Sequence, residues 1–220
     1  MSTFKTSSSK ESILKKIRTA LQEYKAEMPY PDMGKVDYEK VYAPPAYEDL
    51  ATAFAEAFGK AGGKFVFCAN TREFIQNLDT LASAHSWTQV ACSHKDLFTF
   101  LVNNRVGYVR DMDPHQDNYD ACITDCEVAV ARTGSFIFSS RQNYGRTAPV
   151  YYPVHIVVLQ PHQVVKDISD GLKLMRQKYQ QSLPSMINLN TGPSRTADIE
   201  KTLVTGVHGP KEIYCFWLES

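Results

Sequence analysis

The stretch Gly192-Pro193-Ser194-Arg195-Thr196-Ala197-Asp198-Ile199-Glu200, with Gly206-Val207-His208-Gly209-Pro210 behind it, sets one guanidinium, two carboxylates and an imidazole between two Gly-Pro steps. Such groups suit an anion-binding loop: Arg195 would hold negative charge, and Asp198, Glu200 or His208 would move a proton. Ile199, Leu203 and Val204 recur at helical spacing, which predicts a short helix capped by Ser194 or Thr196 and ended by Gly206. The backbone N–H groups at its start would favour an anion. Asp198 in the first turn would equally complement the helix dipole without any ligand. Gly206 and Gly209 flank His208, and residues without side chains let a ligand approach the backbone.

A second cationic pair, Arg141 and Arg146, lies in SSRQNYGRTAP, directly after an apolar run. Open α/β sheets bind ligands beyond the ends of their strands, so these two could clamp a carboxylate or phosphate. Taken alone the loop reads more readily as a solvated connector than as a clamp. The expectation is one anion pocket built from both loops.

Other reactive residues argue against metal or redox chemistry. Cys122 and Cys126 form C-x3-C. In an extended segment residues four apart are separated by ~13 Å, at about 3.3 Å per residue. Two thiolates on one tetrahedral ion need sulfurs within ~4 Å, given Zn–S near 2.3 Å. The chain has five cysteines, an odd number without disulfide or cluster spacing, which fits a reducing compartment. Neither a Rossmann glycine fingerprint nor a Walker lysine motif occurs. No metal and no cofactor are expected. His155, inside VHIVVL, reads as a core or edge histidine rather than a ligand.

The elements that must position these groups follow from periodicity. With 220 residues, 43% hydrophobic and 22% charged, the chain suits one large soluble domain or a domain with an arm. Its 24 basic and 24 acidic residues cancel, so no general attraction to nucleic acid or anionic membrane is expected. No secretory signal and no apolar run of ~18 residues is seen, and a cytoplasmic location is expected.

Ser8 and Glu11 read as a capping box for a first helix carrying Ile13, Leu14, Ile17, Leu21, Tyr24 and Met28. A proline-rich connector, residues 29–45, follows. Residues 1–46 are therefore an arm and 47–220 the domain. In the domain a helix with Leu50, Phe54 and Phe58 stops at Gly62-Gly63, and KFVFCA is a strand. Asn70 then caps a helix, TQVAC is a strand, Ser93 caps another helix, and VGYV is a strand. This alternation predicts parallel strands with helices on the sheet faces. Beyond it, ACITDCEVAVA, a turn at Thr133-Gly134, SFIFSS and VHIVVL are extended. A helix over His162–Tyr179 and buried strands MINLN and IYCFWL complete a three-layer α/β domain with a mixed sheet.

Three sets of residues carry a family resemblance. They are Ala131-Arg132-Thr133-Gly134-Ser135, Tyr152-Pro153-Val154-His155-Ile156, and the paired motifs of Gly192–Glu200 and Gly206–Pro210. Together they resemble the lactate-utilisation protein C branch of the LUD-domain family over about the last 100 residues. Arg132 departs from the family pattern, which has an acidic residue before the Thr/Ser-Gly pair.

The resemblance implies a fold like that of ribose-phosphate isomerases, CoA transferases and formyltetrahydrofolate cyclo-ligase. It also implies a place in a multi-protein system that oxidises L-lactate to pyruvate with iron–sulfur partner subunits. Thr133, Gly134, Gly192, Ser194, Arg195, Thr196, Gly206 and Gly209, with Arg141 and Arg146, are then expected to bind a small anion, and Asp198, Glu200 and His208 to be reactive. Two function classes stay open. One is a non-redox component that binds a small carboxylate or organises its partners. The other is a free-standing enzyme on a phosphate- or CoA-bearing substrate, with the three arginines as its clamp.

Overall fold

A computed structural model of the chain describes residues 6–23, 49–113, 115–116, 118–142, 148–196 and 204–219. They fall into two units, 1–43 and 44–220. The first contains helix α1, Thr6–Glu23. It starts two residues ahead of the expected Ser8 cap. Its apolar residues Ile13, Leu14, Ile17 and Leu21 are 58%, 38%, 48% and 69% exposed. Tyr24, Met28 and the connector lie outside the described residues.

The second unit begins with α2, Leu50–Lys60. The Asp49 carboxylate caps it, accepting from Ala51 N at 3.1 Å and Thr52 N at 2.9 Å. Its Phe54 and Phe58 are fully buried. Strand β1 is Lys64–Cys68 and α3 is Thr71–Ala84, capped by the Asn70 side chain at Glu73 N. Strand β2 is Val90–Cys92, α4 is Lys95–Asn103 and β3 is Val109–Asp111. The α4 cap is His94, whose Nδ1 accepts from Leu97 N, and not the expected Ser93, whose hydroxyl donates to Ile123 O. The third strand starts at Val109 rather than Val106, because Val106 closes the end of α4 by donating to Leu101 O.

Strands β4 (Ala121–Thr124), β5 (Val128–Val130) and β6 (Ser135–Ser139) follow, then a short helix α5 (Ala148–Tyr151) and β7 (Val154–Leu159). The helix expected from His162 begins only at Ile168. Val164–Val165 form strand β8, and Asp167 caps α6, Ile168–Tyr179. Two β-branched residues beside Ala129 and Val130 gain more from strand pairing than from a helix. Strand β9 is Ile187–Thr191 and alternates exposed and half-buried, as an edge strand does, rather than being buried throughout. Arg195–Thr196 (β10) pairs with Val204–Thr205 (β11), and β12 is Glu212–Leu218.

The central sheet runs β1-β12-β7-β4-β2-β3, every pair parallel. A second sheet, β8-β5-β6-β9, holds two antiparallel pairs and one parallel pair, and β10 with β11 forms a further antiparallel ribbon. The class is α/β as expected, with the pairings of a mixed sheet divided between two sheets. Side chains alternate along each central strand. Val90, Cys92, Ile123 and Ile156 meet Phe74, Leu78 and Leu101 of α3 and α4 on one face. Ala91, Cys122 and Val157 meet Phe54 and Phe58 of α2 and Phe136 and Phe138 of β6 on the other. Beyond the second sheet, α6 packs Met175 on Val128, Val130 and Ile137.

Arg132, in the β5–β6 turn, donates from its guanidinium to the Asp167 cap and so ties that turn to the start of α6. This bond holds the Asp167 carboxyl below the usual carboxylate range. A depressed folded-state pKa contributes stability above the unfolded value, and the contribution is lost as pH falls through the folded one. Arg132→Ala is therefore expected to cost about 0.5–1 kcal/mol at pH 7, the range for partly exposed ion pairs. The gap to the parent should shrink as pH drops below about 4. Urea denaturation at both pH values checks this, and a gap independent of pH would assign the loss to packing.

Candidate functional site

Strand β9 ends at Thr191, and Gly192 turns the chain with φ +67°. Ser194 N donates to Pro210 O at 2.9 Å, and Gly206 N donates to Ser194 O at 3.0 Å. With β10 and β11 paired, the described parts of the two motifs lie side by side. Both ends of the expected helix are thus extended, and its residues 197–203 lie outside the described residues. The backbone at Arg195–Thr196 is a strand, not the helix start expected at Ser194 or Thr196. Asp198 and Glu200 lie outside the described residues.

Arg195 turns inward, its Nη2 donating to Ala61 O at 2.8 Å, just after the last turn of α2. Gly192 packs on the Ala61 carbonyl, and Gly134, with φ +59°, packs on the backbone of Ala57 and Phe58. Ser135 Oγ joins Thr133 Oγ1 and Thr191 Oγ1, each at 2.7 Å, and so ties the Thr133-Gly134 turn to β9. Gly206 lies against Lys211 and Gly209 against Ser194, while His208 is exposed. The motif glycines thus admit protein. Pro153 precedes β7 and accepts from Lys211 N at 2.8 Å, just ahead of β12, so the cluster sits at the amino edge of the central sheet.

Arg141 is elsewhere. Register pairs Ser135 with Thr191 and Ser139 with Ile187, so Arg141 and Arg195 leave opposite ends of β6, ~13 Å apart along the strand. Arg141 Nη2 donates to Ser182 Oγ at 2.6 Å. The single pocket expected from both loops is not formed between these two arginines. Arg146 lies outside the described residues.

At the carboxyl edge the chain has its topological switch point. After β2 it passes through α4 on one face, and after β4 it enters the second sheet on the other. Adjacent strands whose connections diverge leave a crevice. Here it is a cleft of about 340 Å³. His94 follows β2 and Asp125 follows β4, with Nε2 and Oδ2 3.8 Å apart. Phe74, Leu97, Phe100 and Leu218 give the cleft apolar walls. Gln142 Nε2 donates to Asp125 Oδ1 at 3.0 Å. Burial raises the Asp125 carboxyl above the usual range, against the opposing pull of His94. A larger cavity of about 440 Å³ lies beside the start of α2, between Phe67 and Trp217, where Trp217 Nε1 already donates to Glu219 Oε2 at 2.6 Å.

Two nearby groups are structural. Burial alone would raise the Glu127 carboxyl, but bonds from Lys178, Ser139 and Tyr179 outweigh it and hold the group low. These bonds, at 2.7, 2.5 and 2.5 Å, fasten α6 to the second sheet. His155 is fully buried beside Thr124 Oγ1 at 2.8 Å, with Nδ1 unpartnered, and burial pushes it down to about 3. It is a neutral core histidine, as its setting in VHIVVL suggested. The pair His94 and Asp125 escaped the sequence reading, although each stands within two residues of the end of an apolar strand.

Residues 51–217 match the LUD domain. The chain belongs to the LUD-domain family. A stretch of 153 residues, 64% of this chain, is 28% identical to lactate utilization protein C of Anoxybacillus flavithermus and spans 68% of that protein. Proteins of the same name from Deinococcus radiodurans and Bacillus subtilis are 35% and 34% identical over 44% and 40% of the chain. These matches span 45% and 38% of those two relatives. A DUF162 family protein from Deinococcus radiodurans has the same fold, with TM-score 0.53 and 18% identity over 77% of this chain and 96% of that one.

In this LUD domain all five cysteines are buried and free of disulfides. Burial pushes the Cys92 thiol up to about 12, and Cys122, Cys126 and Cys215 well above the usual value. They remain thiols at neutral pH, which makes them poor ligands and nucleophiles. Among the described residues no helix is long and apolar enough to cross a membrane.

The motif loops yield a stability prediction. Gly134→Ala would place a methyl group in the α2 backbone at a positive φ, and is expected to cost ~3 kcal/mol or more. Arg195→Ala loses one exposed clasp, about 1 kcal/mol. Chemical denaturation should rank them in that order, and a Gly134→Ala protein as stable as the parent would overturn this packing.

Proposed function

We propose that this LUD domain serves L-lactate utilisation as a non-redox component of a multi-protein system oxidising L-lactate to pyruvate. The observation that carries the reading is the match across 64% of the chain to a protein named lactate utilization protein C, beside the LUD domain over residues 51–217. The buried, protonated thiols support the non-redox part: electrons would pass through iron–sulfur partner subunits. The exposed apolar residues of α1 support a part in organising those partners. Asp198, Glu200 and His208 are the candidates for reactive groups. Arg195 keeps donors beyond its bond to Ala61 and, with Ser194 and Thr196, is the candidate holder of a small anion.

Deletion of the gene is expected to reduce growth on L-lactate at least tenfold, while the purified chain reduces no dye with L-lactate. Replacing Ile13, Ile17 and Leu21 by Gln should abolish co-purification of iron–sulfur subunits and leave the melting temperature of the LUD domain unchanged. Undiminished growth of the deletion strain on L-lactate sinks the proposal.

A further inference from the structure

The carboxyl-edge cleft has a recognition chemistry that lactate utilisation does not explain. His94 Nδ1 accepts from Leu97 N at 3.2 Å. That bond leaves the proton of the neutral ring on Nε2, which faces Asp125 Oδ2. The cleft thus presents a donor and an acceptor 3.8 Å apart, beyond direct hydrogen-bond range. One oxygen atom ~2.8 Å from each fits above the pair, by triangle geometry at normal hydrogen-bond lengths. Each carboxylate oxygen has two lone pairs, so Asp125 can accept there besides its other bonds.

We propose that the cleft binds an uncharged organic molecule by its hydroxyl group, which accepts from His94 Nε2 and donates to Asp125 Oδ2. A hydroxyl both accepts and donates. A carboxylate cannot donate and would meet Asp125 and Asp96 as like charges. An ammonium cannot accept from His94. None of the residues lining the cleft is Lys or Arg, so no permanent positive charge there neutralises an anion. Phe74, Leu97, Phe100 and Leu218 supply apolar surface for the rest of the ligand. The volume, about 340 Å³, suits a small molecule. Gln142 holds the Asp125 carboxylate in place, and α4 holds the His94 ring, so the pair is fixed before binding.

The test uses three probes of similar shape: benzyl alcohol, benzylamine and benzoate, titrated into the full chain while the amide resonances of Leu97 and Asp125 are followed. Benzyl alcohol is expected to shift both saturably, with the ammonium and the carboxylate at least fivefold weaker. His94→Asn keeps a capping side chain for α4 but removes the Nε2 donor, and Asp125→Asn removes the charge. Each should weaken the alcohol about tenfold. Failure of the alcohol to bind, equal binding of benzoate or benzylamine, or undiminished binding in both variants overturns the proposal. The selectivity of the parent chain decides the matter even if a variant does not fold. Growth on L-lactate is a separate readout, so loss of this inference leaves the lactate reading standing.

Discussion

At two points the last turn of α2 is approached so closely that only glycine fits, and two loops supply it. Gly134 lies on the Ala57–Phe58 backbone and Gly192 on the Ala61 carbonyl, both at positive φ. This closeness lets Phe54 and Phe58, stacked at 5.5 Å, reach Phe136 of the second sheet at 5.3 Å each. Burying each ring stabilises the fold by roughly 2–3 kcal/mol. This helix thus adds to the direct packing of Phe136 and Phe138 on the central sheet, and it is itself held by the turn before β6 and the turn after β9. A methyl group on either glycine would push the helix away from the rings it carries.

Glycine-rich loops with charged neighbours resemble ligand loops because both need an unobstructed backbone. What distinguishes them is the identity of the atoms that come close. Here they are Ala57, Phe58 and Ala61. Arg195 follows the same logic, since its guanidinium meets the carbonyl at the end of a helix, where a positive charge complements the helix dipole.

Most elements were legible because their periodicity and caps agree locally. Asn70 before Thr71, and the stop at Gly62-Gly63, each settle an end without tertiary help. The misses have one form: a tertiary partner overrode a local pattern. Val164 and Val165 left a helical pattern to pair with Ala129 and Val130, and Arg195–Thr196 left one to pair with Thr205 and Val204. The candidate site was less legible than the fold. His94 and Asp125 are 31 positions apart in sequence and share no motif. Only the placement of β4 beside β2 brings them together.

A parallel sheet sorts residues by where they stand relative to a strand. Those just before a strand gather at the amino edge, as Gly62-Gly63, Pro153 and Pro210 do before β1, β7 and β12. Those just after a strand gather at the carboxyl edge, as Asn70, His94, Asp125 and Gln160 do. The described parts of the paired Gly-Pro motifs stand at the amino edge because both belong to the connection that leads into β12. A side chain that follows a strand faces a crevice where connections diverge, and there the helix starts at Thr71 and Lys95 hold polar groups in place. Position relative to a strand therefore says more about chemistry in this chain than the local density of charged residues does.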